Sequence, residues 1–231
     1  MSIINQIKRA FTFQKKKKPR QSSDGPLTYT VFAGINGAGK TSLYNVLRDS
    51  GELGERINID EIAMGMGSWR DTVIQIKAAR QAMAQISDCI EQRVSFHQET
   101  TLPGPTIIKH IKIAKEADFN IRLYYVGVDS LDTCIERVHH RVKMGGHGID
   151  DEIIKRRFEK IIGELGELLP LCDEVVFYDN TVRFRQIAMM KDGICIDADR
   201  DLPQWFWQLG IDVPSDRLAS PDIDIKSETI E

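Results

Sequence analysis

The segment VFAGINGAGKTSLYNVL, residues 31–47, limits the possible folds of this chain more than any other stretch. Gly34 to Thr41 satisfy G-x-x-x-x-G-K-[ST] at every fixed position, and that pattern has a mechanical meaning. Glycines let backbone N–H groups turn inward around phosphate oxygens, and the amino terminus of the following helix adds partial positive charge. Such a loop needs a strand before it and a helix after it. LTYTVFA is β-branched and aromatic up to Gly34, and KTSLYNVLRDS continues with helical character. In this reading Gly34, Asn36, Gly37, Ala38, Gly39, Lys40, Thr41 and Ser42 cradle a nucleoside triphosphate. Lys40 reaches the β- and γ-phosphates, and the Thr41 hydroxyl is offered to Mg2+. The plain alternative is a glycine-rich turn that holds no ligand. The loop alone does not separate a kinase from a GTPase or a motor.

The rest of the chain repeats the strand–helix alternation. RINID is expected to be a second strand, ending at Asp60 beside the first. A long helix over 70–93 carries an apolar stripe of Val73, Ile76, Ala79, Met83, Ile86 and Ile90. VSFHQETTL reads as a third strand ending at Glu99, GPTIIKHIKIAKEAD as a helix and NIRLYYVGV as a fourth strand. SLDTCIERVHHRVKMG is a helix begun by Asp129 or Ser130, GGHGI breaks it, and DDEIIKRRFEKIIGELGELLP resumes it. DEVVFYDN gives a fifth strand, FRQIAMMKDGICID a short hairpin, and Trp205, Phe206 and Trp207 are expected to pack on the body. The pattern predicts an α/β fold: a P-loop NTPase three-layer αβα arrangement with a mostly parallel sheet and a helical lid. It divides the chain into a basic arm and linker over 1–26, a kinase-like domain over 27–200 and a carboxyl-terminal extension over 201–231 whose acidic tail is expected to fray.

Charge is unevenly placed. The net charge is −3, yet residues 1–20 hold seven Lys or Arg and no acid, so the remainder carries 24 basic and 34 acidic residues, a balance of −10. An acidic body argues against a nucleic-acid face, which needs a basic stripe, and no DNA partner is expected. The arm, with Ile3, Ile4, Ile7, Ala10 and Phe11 at helical spacing before Lys15 to Lys18, suits either a partner or anionic membrane surface, or a solubilising leader. Cys89, Cys134, Cys172 and Cys195 show no C-x-x-C pairing and read as reduced thiols. No apolar stretch approaches the roughly 18 residues that cross a bilayer. A cytoplasmic protein is expected.

Further chemistry-bearing residues fall at strand and helix ends. Asp60 lies 20 residues beyond Lys40, where a carboxylate can accept a proton from an attacking hydroxyl; helix capping is its bland alternative. Glu99, Thr100 and Thr101 suit sugar or ribose hydroxyls, and Glu99 suits the magnesium side of the site equally well. Arg137 and Arg141 are one helical turn apart, and Arg156 and Arg157 lie beyond the glycine-rich break; phosphoryl transfer needs such positive charge on a closing lid. Exposed helix arginines are the alternative reading. Of the five histidines, His139 and His140 read as helix-surface residues, and His147 in GGHG is the one to test.

GINGAGKT, NIDEIA, SFHQETTLPG, RVKMGGHGIDDEIIKRRFEK and VVFYDNT, in this order over residues 28–190, resemble the zeta toxin family and its chromosomal relatives. That resemblance implies a P-loop kinase using ATP and Mg2+, which phosphorylates the 3′-hydroxyl of the amino sugar in UDP-N-acetylglucosamine and is blocked at its ATP site by an antitoxin. Carried over by motif, Lys40 and Thr41 serve nucleotide and metal, Asp60 is the base, and Glu99 with Thr100 and Thr101 holds the sugar nucleotide. Arg141 and Arg157 are the phosphate-directed arginines, with Arg137 and Arg156 as alternatives. The chain departs from the pattern in its GGH insertion, in Asp150 where relatives of this type carry proline, and in its basic arm. Two other functions stay open: a kinase of another nucleotide, a nucleoside or an RNA end, and a non-catalytic ATP-binding switch.

Overall fold

A computed structural model describes residues 25–48, 53–68, 70–102 and 104–217. The expectations for the basic arm and the acidic tail lie outside these residues. Strand β1 (Thr28–Ala33) buries both faces, with Tyr29, Val31 and Ala33 in one core layer and Phe32 in the other. This period-2 division, repeated by Leu123 and Tyr125 against Val126 in β4 (Asn120–Gly127), makes β1 and β4 central. The described strands form one sheet, β2-β3-β1-β4-β5-β6-β7. In it β2 (Glu55–Ile57), β3 (Phe96–Thr100), β1, β4 and β5 (Glu174–Asp179) are parallel. The expected hairpin is present as β6 (Arg185–Lys191) and β7 (Ile194–Ala198), added antiparallel to β5.

Helices α1 (Lys40–Leu47) and α5 (Leu131–Lys143) cover one face through Leu43, Leu47, Cys134 and Val138. The other face receives α3 (Thr72–Glu91) and α4 (Pro105–Glu116), through Ala82, Ile86, Ile90, Ile107 and Ile111. Helix α6 (Asp151–Leu168) contributes Ile154 to the first layer and Ile161, Leu165 and Leu168 to the second, so it passes across the edge of the sheet. Among the described residues no helix is long and apolar enough to cross a membrane.

Four details differ from the sequence reading. The second strand stops at Ile57, because the Asn58 side chain accepts from the backbone N–H groups of Asp60 and Glu61 and starts helix α2 (Ile59–Met66). Asp60 therefore lies in a helical first turn instead of at a strand end. Strand β2 pairs with β3, which separates it from β1. In α3, Val73 and Ile76 are 59% and 50% exposed, and the buried row is Ala78, Ala82, Ile86 and Ile90, since the helix settles on the sheet only from its second turn. Trp205 and Phe206 are buried in the one-turn helix α7 (Gln204–Trp207), whereas Trp207 points away and is 54% exposed.

Candidate active site at the carboxyl edge of the sheet

The phosphate loop links β1 to α1 and owes its shape to close packing. Gly37 and Gly39 have φ of 81° and 110°, in the left-handed region. A β-carbon would stand 2.5 Å from the Cys134 carbonyl oxygen at Gly37 and 2.7 Å from Asn180 Nδ2 at Gly39. Buried Asn180, just beyond β5, donates from Nδ2 to the Ala38 carbonyl at 2.7 Å and fixes the loop from behind. Lys40 Nζ bends over the loop and donates to the carbonyls of Gly34 (2.8 Å) and Ile35 (3.1 Å). Burial lowers the Lys40 pKa to about 8 against the opposing pull of Glu99 and Asp60. Ser42 is half-buried in the first turn of α1.

Thr41 Oγ1 donates to Glu99 Oε2 at 2.9 Å. Glu99, at the end of β3, is buried and also accepts from Arg56 Nη2 (2.7 Å) and Asn58 Nδ2 (3.1 Å) on Oε1. Arg56 is itself held by Glu61 and lies over the Tyr44 ring, 3.6 Å from its centroid. Both Glu99 oxygens are thus turned toward the phosphate loop and the start of α2. Thr100 Oγ1 accepts from the Leu102 N–H at 3.0 Å in the turn after β3, and Thr101 is half-buried beside it.

The segment between α5 and α6 folds back on Arg141 and reaches Asp60 in the first turn of α2. His147 Nε2 lies 2.9 Å from Asp60 Oδ2, and Arg141 Nε donates to the His147 carbonyl at 2.8 Å. Partial desolvation pushes the Asp60 carboxyl up, but His147, Lys40 and Arg141 outweigh it and hold the group below its ordinary value, so it is ionised at neutral pH. Arg157 Nη1 donates to the Asn36 side chain of the phosphate loop at 2.9 Å. Burial lowers the pKa of both Arg141 and Arg157, and Asp60 opposes that shift in each. Of the two alternatives, Arg137 donates to the Thr181 carbonyl at 3.4 Å and Arg156 is exposed. Asp150, where the family pattern has proline, caps α6 by accepting from Glu152 N–H at 2.9 Å, at φ −62°, a value proline also adopts.

Beside Arg157 a cleft of about 330 Å3 is lined by Gly104, Arg156, Arg157, Lys160 and Glu164. A neighbouring cleft of about 200 Å3 shares Gly104 and Glu164 and adds Leu102, Ile107 and Ile108. Sequence reasoning passed over Asn180, Arg56 and Asn58. Asn180 stands inside the quoted VVFYDNT, but its task is a contact with a loop 142 residues away, which only the fold reveals.

No protein-family profile matches the chain. Among solved structures, a chain of the AvrRxo1-ORF1:-ORF2 crystal structure with ATP superposes with a TM-score of 0.60 at 15% identity, over 84% of this chain and 66% of that one. This chain therefore spans slightly less than two thirds of that neighbour. The PezAT chromosomal toxin–antitoxin system of Streptococcus pneumoniae gives 0.50 at 14% identity, over 76% of this chain and 78% of the other. The Pnkp1/Rnl/Hen1 RNA repair complex gives 0.52 at 12% identity, over 64% and 49%. These likenesses establish the fold, a P-loop αβα sandwich with a mostly parallel sheet. In sequence, an uncharacterised protein of Haemophilus influenzae is 35% identical over 127 residues, which are 55% of this chain and 89% of that protein. The chain belongs to the same family as that Haemophilus influenzae protein.

Proposed function

We propose that this protein is an ATP- and Mg2+-dependent kinase that phosphorylates a small-molecule hydroxyl, with the 3′-hydroxyl of UDP-N-acetylglucosamine as the favoured acceptor. The observation that carries this reading is a convergence at the phosphate loop: Lys40 folds onto the Gly34 and Ile35 carbonyls, Arg157 reaches Asn36 of the same loop, and His147, whose carbonyl holds Arg141, lies 2.9 Å from Asp60. One ionised carboxylate facing three cations is the constellation that phosphoryl transfer to a hydroxyl requires.

The residues fit a bound nucleoside triphosphate and metal. Arg141 Nη2 and Arg137 Nη1 are buried with no hydrogen-bond partner, and Thr41 commits its proton to Glu99 while keeping lone pairs to offer a cation. Magnesium held beside Thr41 and Glu99 would neutralise charge on the β- and γ-phosphates. Lys40 leaves the Gly34 and Ile35 carbonyls for those phosphates, and Arg141 and Arg157 meet the equatorial oxygens of the transferring group. Asp60 takes the proton of the acceptor hydroxyl as its oxygen attacks phosphorus, and ADP departs. The hydrogen bond from Thr41 favours the metal side for Glu99, which leaves Thr101 and the cleft lined by Arg156 and Lys160 to the acceptor. Those two cations suit an acceptor that itself carries phosphate, as a UDP-sugar does. The resemblance to zeta toxins, and the toxin–antitoxin system named for the S. pneumoniae neighbour, support an antitoxin as protein partner. The four free thiols support a cytoplasmic setting.

The test is transfer from γ-labelled ATP to a panel of UDP-sugars, nucleosides and 5′-hydroxyl RNA. Wild-type protein is expected to label UDP-N-acetylglucosamine, and Asp60→Asn to do so about 10²-fold more slowly or worse. Equal rates for the two would remove Asp60 from the role of base. Transfer to RNA with none to UDP-sugars would replace the acceptor, and tight ATP binding without transfer would favour the switch.

A further inference from the structure

His147 makes a contact that the kinase chemistry does not by itself demand. Asp60 belongs to α2, which follows the edge strand β2, and His147 to the segment after α5, which follows β4. Their contact at 2.9 Å therefore joins elements that follow β2 and β4, two strands separated in the sheet by β3 and β1. Local geometry delivers the ring there. Gly145 takes φ of 85°, the Gly146 N–H donates to the Arg141 carbonyl at 2.9 Å, and a β-carbon on Gly146 would stand 2.7 Å from Arg141 Cγ. The chain is thus folded tightly back on the last turn of α5, and the next residue presents its carbonyl to Arg141 Nε and its ring to Asp60.

The ring is mostly covered and Asp60 is not: their side chains are 22% and 58% exposed. His147 Nε2 lies 2.9 Å from Oδ2, an ion-pair contact not aligned as a hydrogen bond, and no hydrogen bond from a described residue occupies Oδ1. One carboxylate oxygen is restrained while the other stays open to an incoming hydroxyl.

We propose that His147 is a positioning residue that couples closure of the lid to alignment of the base: its ring orients the Asp60 carboxylate and its carbonyl orients Arg141. The two chemical halves of the site, base and phosphate-directed cation, are then set by the same residue, and a lid that opens releases both. This rests on the kinase reading, but the clamp itself has a readout independent of it.

The experiment uses the full chain in five forms: wild type, His147→Ala, His147→Gln, Asp60→Asn and the Asp60→Asn/His147→Ala double variant. Amide hydrogen exchange over residues 144–150 reads the clamp, and steady-state kinetics with ATP and UDP-N-acetylglucosamine read the alignment. His147→Ala is expected to speed exchange about 10-fold and lower kcat about 10-fold with KM for ATP within about twofold, an orientation effect more than a binding one. His147→Gln, which keeps a donor within reach of Oδ2, should recover most of both. Asp60→Asn should loosen the same amides, and combining it with His147→Ala should add nothing further. Unchanged lid exchange in His147→Ala overturns the proposal, as does equal impairment of the Ala and Gln forms. Wild-type transfer matched by His147→Ala sinks the positioning role and leaves the kinase intact. Faster lid exchange in His147→Ala, alongside a wild type that phosphorylates nothing in the panel, upholds the clamp and removes the kinase reading.

Discussion

Lys40 shows how much of the chemistry resides in single residues. Its ammonium donates to two carbonyls of its own loop, and burial lowers its pKa to about 8. Phosphate brought against it would restore the proton. ATP binding is therefore expected to occur without proton uptake near pH 6.5, where Lys40 is already charged, and with uptake of up to about one proton as pH rises through 8 and beyond. Calorimetry in buffers of different ionisation enthalpy measures this directly, and Lys40→Met should abolish the pH-dependent uptake. Lys40 and Thr41 stand out in the sequence because the G-x-x-x-x-G-K-[ST] spacing is local, whereas Asp60 reads there as a strand end and lies instead in the first turn of α2. Asn180, Arg56 and the pairing of His147 with Asp60 do not stand out, since each acts through a partner that only tertiary structure brings near.

At the scale of elements, the small helix α7 is held by an absence of side chain. The Trp205 ring lies where a β-carbon on Gly127 would be 2.2 Å from Cε2, and Trp205 Nε1 donates to Asp179 at 3.3 Å. Gly127→Ala is expected to push the indole out and destabilise the protein by about 1–3 kcal/mol, roughly 2–4 °C in Tm for each kcal/mol at this size. Thermal denaturation with intrinsic tryptophan fluorescence checks both consequences. The glycine and the tryptophan were visible in the sequence, but their meeting was not. Strand and helix types were mostly legible, because alternation and turn residues are local signals. Strand order was not: hydrophobic pattern cannot say that β3 inserts between β1 and β2, and Asn58 ended β2 early by capping the next helix.

Across the whole molecule, α6 joins parts that the alternation of strands and helices treats separately. It is capped by Asp150, lends Ile154 to one core layer, reaches the phosphate loop through Arg157, and buries Ile161 and Leu165 in the other layer. Leu165→Ala should cost about 2–5 kcal/mol, because the side chain is fully buried and the helix cannot collapse onto the sheet without moving its loop contact. Arg157→Ala is expected to leave the melting temperature without ATP within about 2 °C of wild type, as a half-exposed bond contributes little. It should lose most of the further stabilisation by ATP and Mg2+, which is about 2.7 kcal/mol at a hundred times Kd. Melting curves with and without nucleotide separate the two variants.

That crossing has a consequence for genetics. On a single helix Arg157, which meets the phosphate loop, lies between the core residues Ile154, Ile161 and Leu165. A screen for lost activity should return hits spaced about one turn apart along α6, and only expression level would sort those that unfold the protein from one at Arg157.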